Sequence, residues 1–341
     1  MIRMTTSREL VETALKREPV ERIPFFPPFQ GYWALMNEGI TTMDSINNPE
    51  LSAEAQLKNV DPCCFDAVEV LWDWLFPVEA LGCQVKIPKY GTIATTKNIV
   101  NGPGDIDRFE LPDLNRFYRY SSAKKTAEIL SEKLGKNHYL VASMPGPFTL
   151  AGELRGVDSM LLDSLLNPSF VDDLLKKATE LDREVIEYVC DWNIDAVLIC
   201  DPTTSGDLMS PEDFVRFSKV RLKEAGDTVR KSGKDFIVHM CGDTSDRLND
   251  IADTGCIAFS CDKQVDMGKA VESMKGRMAM IGNIDPSGTI FAGSPDDVRR
   301  ATKKLMEAGG DTGFLMGAGC DIPVGSKFEC VKAIGDTLNG I

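Results

Sequence analysis

The chain alternates short apolar runs, rich in β-branched and aromatic residues, with longer stretches whose apolar positions recur at helical spacing. Eight of the short runs read as strands: 23–26, 67–71, 139–142, 196–199, 236–238, 257–259, 278–281 and 314–316. Most are followed by a helical segment. Within 168–192, Phe170, Leu174, Leu175, Ala178, Leu181, Val185, Ile186 and Val189 fall on roughly one helix face. Ser210-Pro211 and Ser294-Pro295 read as helix starts, with serine as N-cap and proline at the first helical position. The second of these helices should reach about Glu307 before Gly309-Gly310 stops it. Thr6 or Ser7, with Glu9 and Glu12, marks a further helix N-terminus.

Repeated strand-then-helix units imply a parallel sheet. Eight of them predict the α/β class and closure into a single (β/α)8 TIM barrel, in which chemistry gathers at the C-terminal strand ends. An open doubly wound sheet is the rival, but no Gly-x-Gly-x-x-Gly opens a helix after an early strand. The section 86–124 has a β-rich piece at 91–100 and then a Pro/Gly-marked loop, and reads as a small insertion after the second strand. No internal repeat interrupts the pattern, so one barrel domain is expected over 1–341.

Charge narrows the partners. A net charge of -14 over 341 residues disfavours nucleic acid and anionic membrane surfaces. No run approaches the roughly 20 apolar residues that span a bilayer. The start, residues 1–7, lacks the apolar core and cleavage site of a signal peptide. Ten cysteines scattered through the chain then read as reduced thiols in a cytoplasmic protein.

The apolar runs end in polar residues that a barrel would bring to one mouth. The fifth ends in His239-Met240-Cys241, and the eighth runs through Gly317-Ala318-Gly319 into Cys320. A strand puts His239 and Cys241 on the same face. One imidazole and two thiolates are the ligand set of a zinc site with its fourth position open. The competing reading is a core histidine beside two buried cysteines. The chain has only two histidines, and His138, before the third strand, belongs to the opposite end of the barrel. Asp73, Glu153 and Asp201 are expected at strand ends, as catalytic groups orienting a ligand or the imidazole, or else as helix caps. Asn283 is expected to contact substrate. Cys261 reads as a packing residue, and the Cys63-Cys64 pair has no metal role.

Three segments resemble motifs of the uroporphyrinogen decarboxylase superfamily: the run from Trp72-Asp73-Trp74 to Gly82, Pro147-Phe148-Thr149-Leu150-Ala151, and Gly282-Asn283-Ile284-Asp285-Pro286. The resemblance covers nearly the whole chain and implies a single (β/α)8 barrel. In the decarboxylases two arginines around a Gln-Ala-Gly segment hold the substrate carboxylates; here that place reads Phe29-Gln30-Gly31-Tyr32-Trp33, without arginine. Asp73 matches their essential aspartate, and Glu153 stands near the position of a tyrosine that is absent. His239, Cys241 and Cys320 match instead the His-x-Cys and distant Cys of the zinc-dependent methylcobamide:coenzyme M methyltransferase branch.

That resemblance implies Zn2+, a methylcorrinoid donor carried by a separate corrinoid protein, and a small-molecule thiol acceptor such as coenzyme M. Gln30 and Trp72 are then candidate cofactor contacts with Asn283, and Trp72 with Trp74 would form an apolar wall against the corrin, or simply pack the barrel. Porphyrinogen-type decarboxylation, methyl transfer to a folate and a non-catalytic metal-binding barrel are the alternatives.

Overall fold

The computed structural model describes residues 5–341. The first four positions of the expected leaderless start lie outside the described residues. Among the described residues there are nine strands: β1 (Ala67–Leu71), β2 (Gln84–Lys86), β3 (Ala94–Lys97), β4 (Tyr139–Pro145), β5 (Ala196–Cys200), β6 (Asp235–Met240), β7 (Ala258–Cys261), β8 (Ala279–Ile284) and β9 (Phe314–Ala318). Seven form one parallel sheet in the order β1-β4-β5-β6-β7-β8-β9, so each new strand is laid beside the last one. Helices follow the strands and cover the outer face, as right-handed crossovers require.

The predicted first strand, 23–26, is not a ladder strand. It contributes a parallel bridge between Phe25 and Met316. The Phe26 amide donates to the Met316 carbonyl at 2.8 Å, the Met316 amide donates to Pro24 at 2.9 Å, and the Asp66 amide donates to Phe25 at 2.9 Å. The segment therefore sits between β9 and β1 and curls the sheet into a barrel-like closure. Pro24, Pro27 and Pro28 carry no N–H, which leaves too few donors for a regular ladder. The closure is tight: a Cβ on Gly317 would stand 2.7 Å from the Phe26 carbonyl oxygen.

Inside the barrel, alternate residues of the strands meet: Phe26, Ala67, Tyr139, Val141, Leu198, Cys200, Ile237, Ile281 and Leu315 belong to one buried cluster. The larger cluster lies between sheet and helices. In the section read as an insertion, β2 and β3 form an antiparallel hairpin separate from the main sheet. The expected helix starts are present. Thr6 caps Ser7–Leu15 in a reciprocal capping box with Glu9, Ser210 caps Pro211–Asp213, and Ser294 caps Pro295–Gly309. After Ser210 the chain passes through a π-helical turn, Phe214–Lys219, before continuing as Val220–Lys231. Among the described residues, no helix is long and apolar enough to cross a membrane.

Candidate metal centre

His239 lies on β6 and Cys241 just beyond its end, whereas Cys320 lies two residues past β9. Two strands separate β6 from β9 in the sheet, and the curl brings their C-terminal ends together across the mouth. His239 Nε2 is 3.4 Å from Cys241 Sγ, and Cys241 Sγ is 3.3 Å from Cys320 Sγ. The donor atoms of all three residues lie within 4.8 Å of one another. Among the described residues, they are the group of histidine, cysteine and carboxylate side chains close enough to share an ion.

The separations fit a metal better than a disulfide. A disulfide holds its sulfurs at about 2.05 Å, and all the cysteines are free. Zinc–ligand bonds of about 2.0–2.3 Å around a tetrahedron give edges of roughly 3.5–3.8 Å, a few tenths of an ångström from the distances seen. The Cys241 thiol at hydrogen-bond distance, and then burial, push the Cys320 thiol up. Two thiolates this close repel, so ionising both calls for a cation between them.

The imidazole is set for that role. His239 is buried, at 2 % exposure, and its Nδ1 lies 3.1 Å from both the carbonyl oxygen and Oγ of Ser260 on the neighbouring strand. The Phe29 ring packs against its ring edge-on at 4.7 Å between centroids. Cys241 and Cys320 are half-buried, so the donor set opens toward the mouth at the thiols.

The remaining site candidates are placed elsewhere or held in other contacts. Asp73 pairs with Arg119, whose Nε reaches Asp73 Oδ2 at 2.7 Å and whose Nη1 reaches Glu79 at 2.8 Å. That guanidinium is fully buried. Asp201 accepts from the Thr149 amide and hydroxyl, both at 2.8 Å, and from Ser218 Oγ at 3.0 Å. It thereby fixes the start of the helix Pro147–Arg155, and burial pushes its carboxyl up to about 6 despite those bonds. Glu153, on that helix, lines a cleft under the hairpin with Trp74, Thr95 and Asn98.

Gln30 is buried and, with its amide turned to satisfy both atoms, donates to Pro27 and accepts from the Glu69 amide at 2.9 Å. The Trp72 ring presses on Gly31 so closely that a Cβ there would be 2.2 Å from it. Asn283 donates to the Asp262 and Val265 carbonyls, both at 2.8 Å, and ties down the loop after β7. Cys261 is buried with its thiol toward the Ile281 carbonyl. His138 sits at the N-terminal end of β4, away from the mouth.

Besides Ser260 and Phe29, which touch the imidazole, sequence reasoning also did not single out Asp321 or the buried Glu69. Glu69 had a signal, since it is an acid in the middle of the apolar run Ala67-Val68-Glu69-Val70-Leu71. Asp321 directly follows a ligand candidate. Ser260 and Phe29 have no distinguishing pattern.

The chain resembles characterised proteins over nearly its full length. It is 28% identical over 329 residues to the methylcobamide:CoM methyltransferase MtaA of Methanosarcina barkeri, covering 94% of each chain. It is 27% identical over 312 residues to the uroporphyrinogen decarboxylase of Chlorobium phaeobacteroides, covering 88% of this chain and 87% of that one. A solved methyltransferase structure from Methanosarcina mazei superimposes with a TM-score of 0.90 at 27% identity, covering 99% of both chains. The barrel-like architecture and these relatives agree with a family sequence model that matches residues 6–340, and the chain belongs to the uroporphyrinogen decarboxylase family.

Proposed function

We propose that the protein is a zinc-dependent methyltransferase that moves a methyl group from a methylated corrinoid, presented by a corrinoid protein, to a small-molecule thiol. His239 Nε2, Cys241 Sγ and Cys320 Sγ would hold the zinc. The observation that carries this reading is the meeting of those three donors, with the imidazole turned by Ser260. The methylcobamide:CoM methyltransferase name of the Methanosarcina relative supports the same chemistry.

Zinc bound there would supply the positive charge that lets a thiol in the open position lose its proton near neutral pH. The chain's own residues do the rest. Ser260 holds the proton on Nδ1, so Nε2 keeps its lone pair for coordination. Phe29 and the buried imidazole keep water from one side of the centre. The half-buried thiols leave the acceptor's approach open from the mouth. In the transfer, a sulfur–carbon bond forms as the carbon–cobalt bond breaks, with its electron pair staying on the corrinoid. No general base is needed once the thiol has lost its proton.

Porphyrinogen decarboxylation fits less well. Asp73 is held by a buried arginine, and residues 29–33 offer no cation for a polycarboxylate. The test is transfer from methylcobalamin to a thiol by the zinc-loaded protein. Transfer should require Cys241 and Cys320. A folded Cys241→Ala variant that keeps wild-type rates would remove the proposal.

A further inference from the structure

The turn that follows Cys241 is gripped by a neighbouring loop. Gly242 has a φ of +80°, a conformation that glycine adopts freely and other residues rarely. A Cβ there would strike the Asp207 carboxylate and stand 2.7 Å from Ser205 Oγ, so the turn is packed against the loop after β5. Hydrogen bonds tie the same two loops. The Gly206 amide donates to the Asp243 carbonyl at 2.7 Å, and the Asp243 amide donates to Asp207 Oδ2 at 3.3 Å. That oxygen also accepts from Gln264 Nε2, beyond β7, at 2.9 Å. One exposed carboxylate therefore joins the loops after β5, β6 and β7 beside a metal-ligand candidate.

The loop after β5 is in turn held from within. Arg247, whose side chain is fully buried, belongs to the same stretch as Cys241 and reaches back across to that loop. Its Nη1 donates to the Thr204 carbonyl at 2.7 Å and its Nη2 to the Met209 carbonyl at 2.9 Å, at the loop's two ends. Its Nε donates to Asp246 at 2.8 Å, and the guanidinium lies over the Phe214 ring, 5.3 Å from its centre. A buried cation is costly unless its donors are satisfied. Here they are satisfied by fixing the span 204–209.

We propose that Arg247 and Asp207 are positioning residues for Cys241. Arg247 fixes the 204–209 loop, and Asp207, with the Gly206 amide, fixes the turn after the thiol, so that Sγ is held where it meets His239 and Cys320. Both act through the backbone and not as ligands. A donor held in place before the metal arrives loses less freedom on binding, which raises affinity. This rests on the metal-centre reading above and adds what keeps one of its three donors in place.

The test uses two variants of the full-length protein. Arg247→Lys keeps the charge but lacks the planar fork that spans two carbonyls. Asp207→Ala removes an exposed side chain and with it the link to Asp243. Each is titrated with Zn2+ against a chromophoric chelator, and with Co2+, whose thiolate charge-transfer absorption reports sulfur ligation. Arg247→Lys should lose about tenfold or more in zinc affinity and show a weaker charge-transfer band at saturation, and Asp207→Ala should change both in the same sense by less. A lowered Tm with wild-type affinity and spectrum would make Arg247 merely structural and overturn the inference. Should Arg247→Lys not fold, Asp207→Ala decides alone, and wild-type affinity and spectrum in that variant overturn it. In the metal-free proteins, alkylation of Cys241 by iodoacetamide, relative to Cys320 and located by peptide mass spectrometry, should be severalfold faster in the variants. A wild-type protein that binds neither metal would sink the proposed zinc site, and labelling would then decide the inference: faster Cys241 labelling in the variants upholds it and equal labelling overturns it.

Discussion

The imidazole of His239 and the backbone carbonyl of Ser260 meet at 3.1 Å through Nδ1. A carbonyl oxygen only accepts, so the proton resides on Nδ1 and the Nε2 lone pair is turned toward Cys241. Because His239 and Ser260 are direct partners in the parallel pairing of β6 and β7, the register of two strands sets the imidazole's tautomer. The Ser260 hydroxyl, also at 3.1 Å, reinforces the carbonyl.

Ser260→Ala should therefore weaken metal binding without abolishing it, because the carbonyl contact survives. A loss of about tenfold in zinc affinity is expected, the low end for a partner that orients a ligand. Competition with a chromophoric chelator measures it, and an unchanged affinity would mean that the carbonyl alone suffices.

Asp73 and Arg119 form a buried ion pair together with Glu79. Removing one partner leaves an uncompensated charge, so Asp73→Ala should cost about 3 kcal/mol of stability. Denaturant midpoints read this directly. Because the pair lies beside a small cavity lined by Ser45, Trp72 and Thr126, the folded variant should still bind zinc.

Asp201 gives a pH signature. Its folded carboxyl sits at about 6, above the unfolded value near ~3.9. The folded state therefore holds this proton more tightly. Its favourable contribution is complete below about pH 4 and is lost as pH rises through about 6. Asn at this position keeps an acceptor for Thr149 without the titration. The stability of wild type relative to Asp201→Asn should fall by about 2 kcal/mol from pH ~4 to ~7. A pH-independent difference would contradict the assignment. Retained zinc binding by the variant would agree with a role in holding the helix Pro147–Arg155.

Gly317 stands where the barrel closes. Its Cβ would crowd the Phe26 carbonyl and, at 3.1 Å, Pro28. Gly317→Ala should cost about 1–3 kcal/mol through overpacking, visible as a lower Tm. A neutral substitution would show that the 23–28 segment moves aside freely.

The spacing of His239 and Cys241 carries its own geometry, since residues two apart on a strand share a face, and this half of the centre was legible from sequence. Cys320 became legible only through the inferred barrel and the family resemblance, because nothing local links it to a strand 79 positions earlier. Position at a strand end was a weaker guide. Asp73, Glu153 and Asp201 all lie beyond strands, yet their side chains turn to Arg119, the hairpin cleft and Thr149. The direction of a side chain past the last ladder bond is set by tertiary partners, and Arg119 comes 46 residues after Asp73. The 23–26 run was apolar enough for a strand, but its prolines remove the donors that a ladder needs.

The proposed function requires that His239, Cys241 and Cys320 bind one zinc ion. Elemental analysis after anaerobic reconstitution tests it most directly, on the wild-type protein and on Cys320→Ser. About one equivalent of tightly held zinc is expected in the wild type, lost or greatly weakened in a variant of unchanged fold. A folded wild-type protein that retains no zinc, or a Cys320→Ser variant that holds it as tightly, would show that the three residues do not form a zinc site.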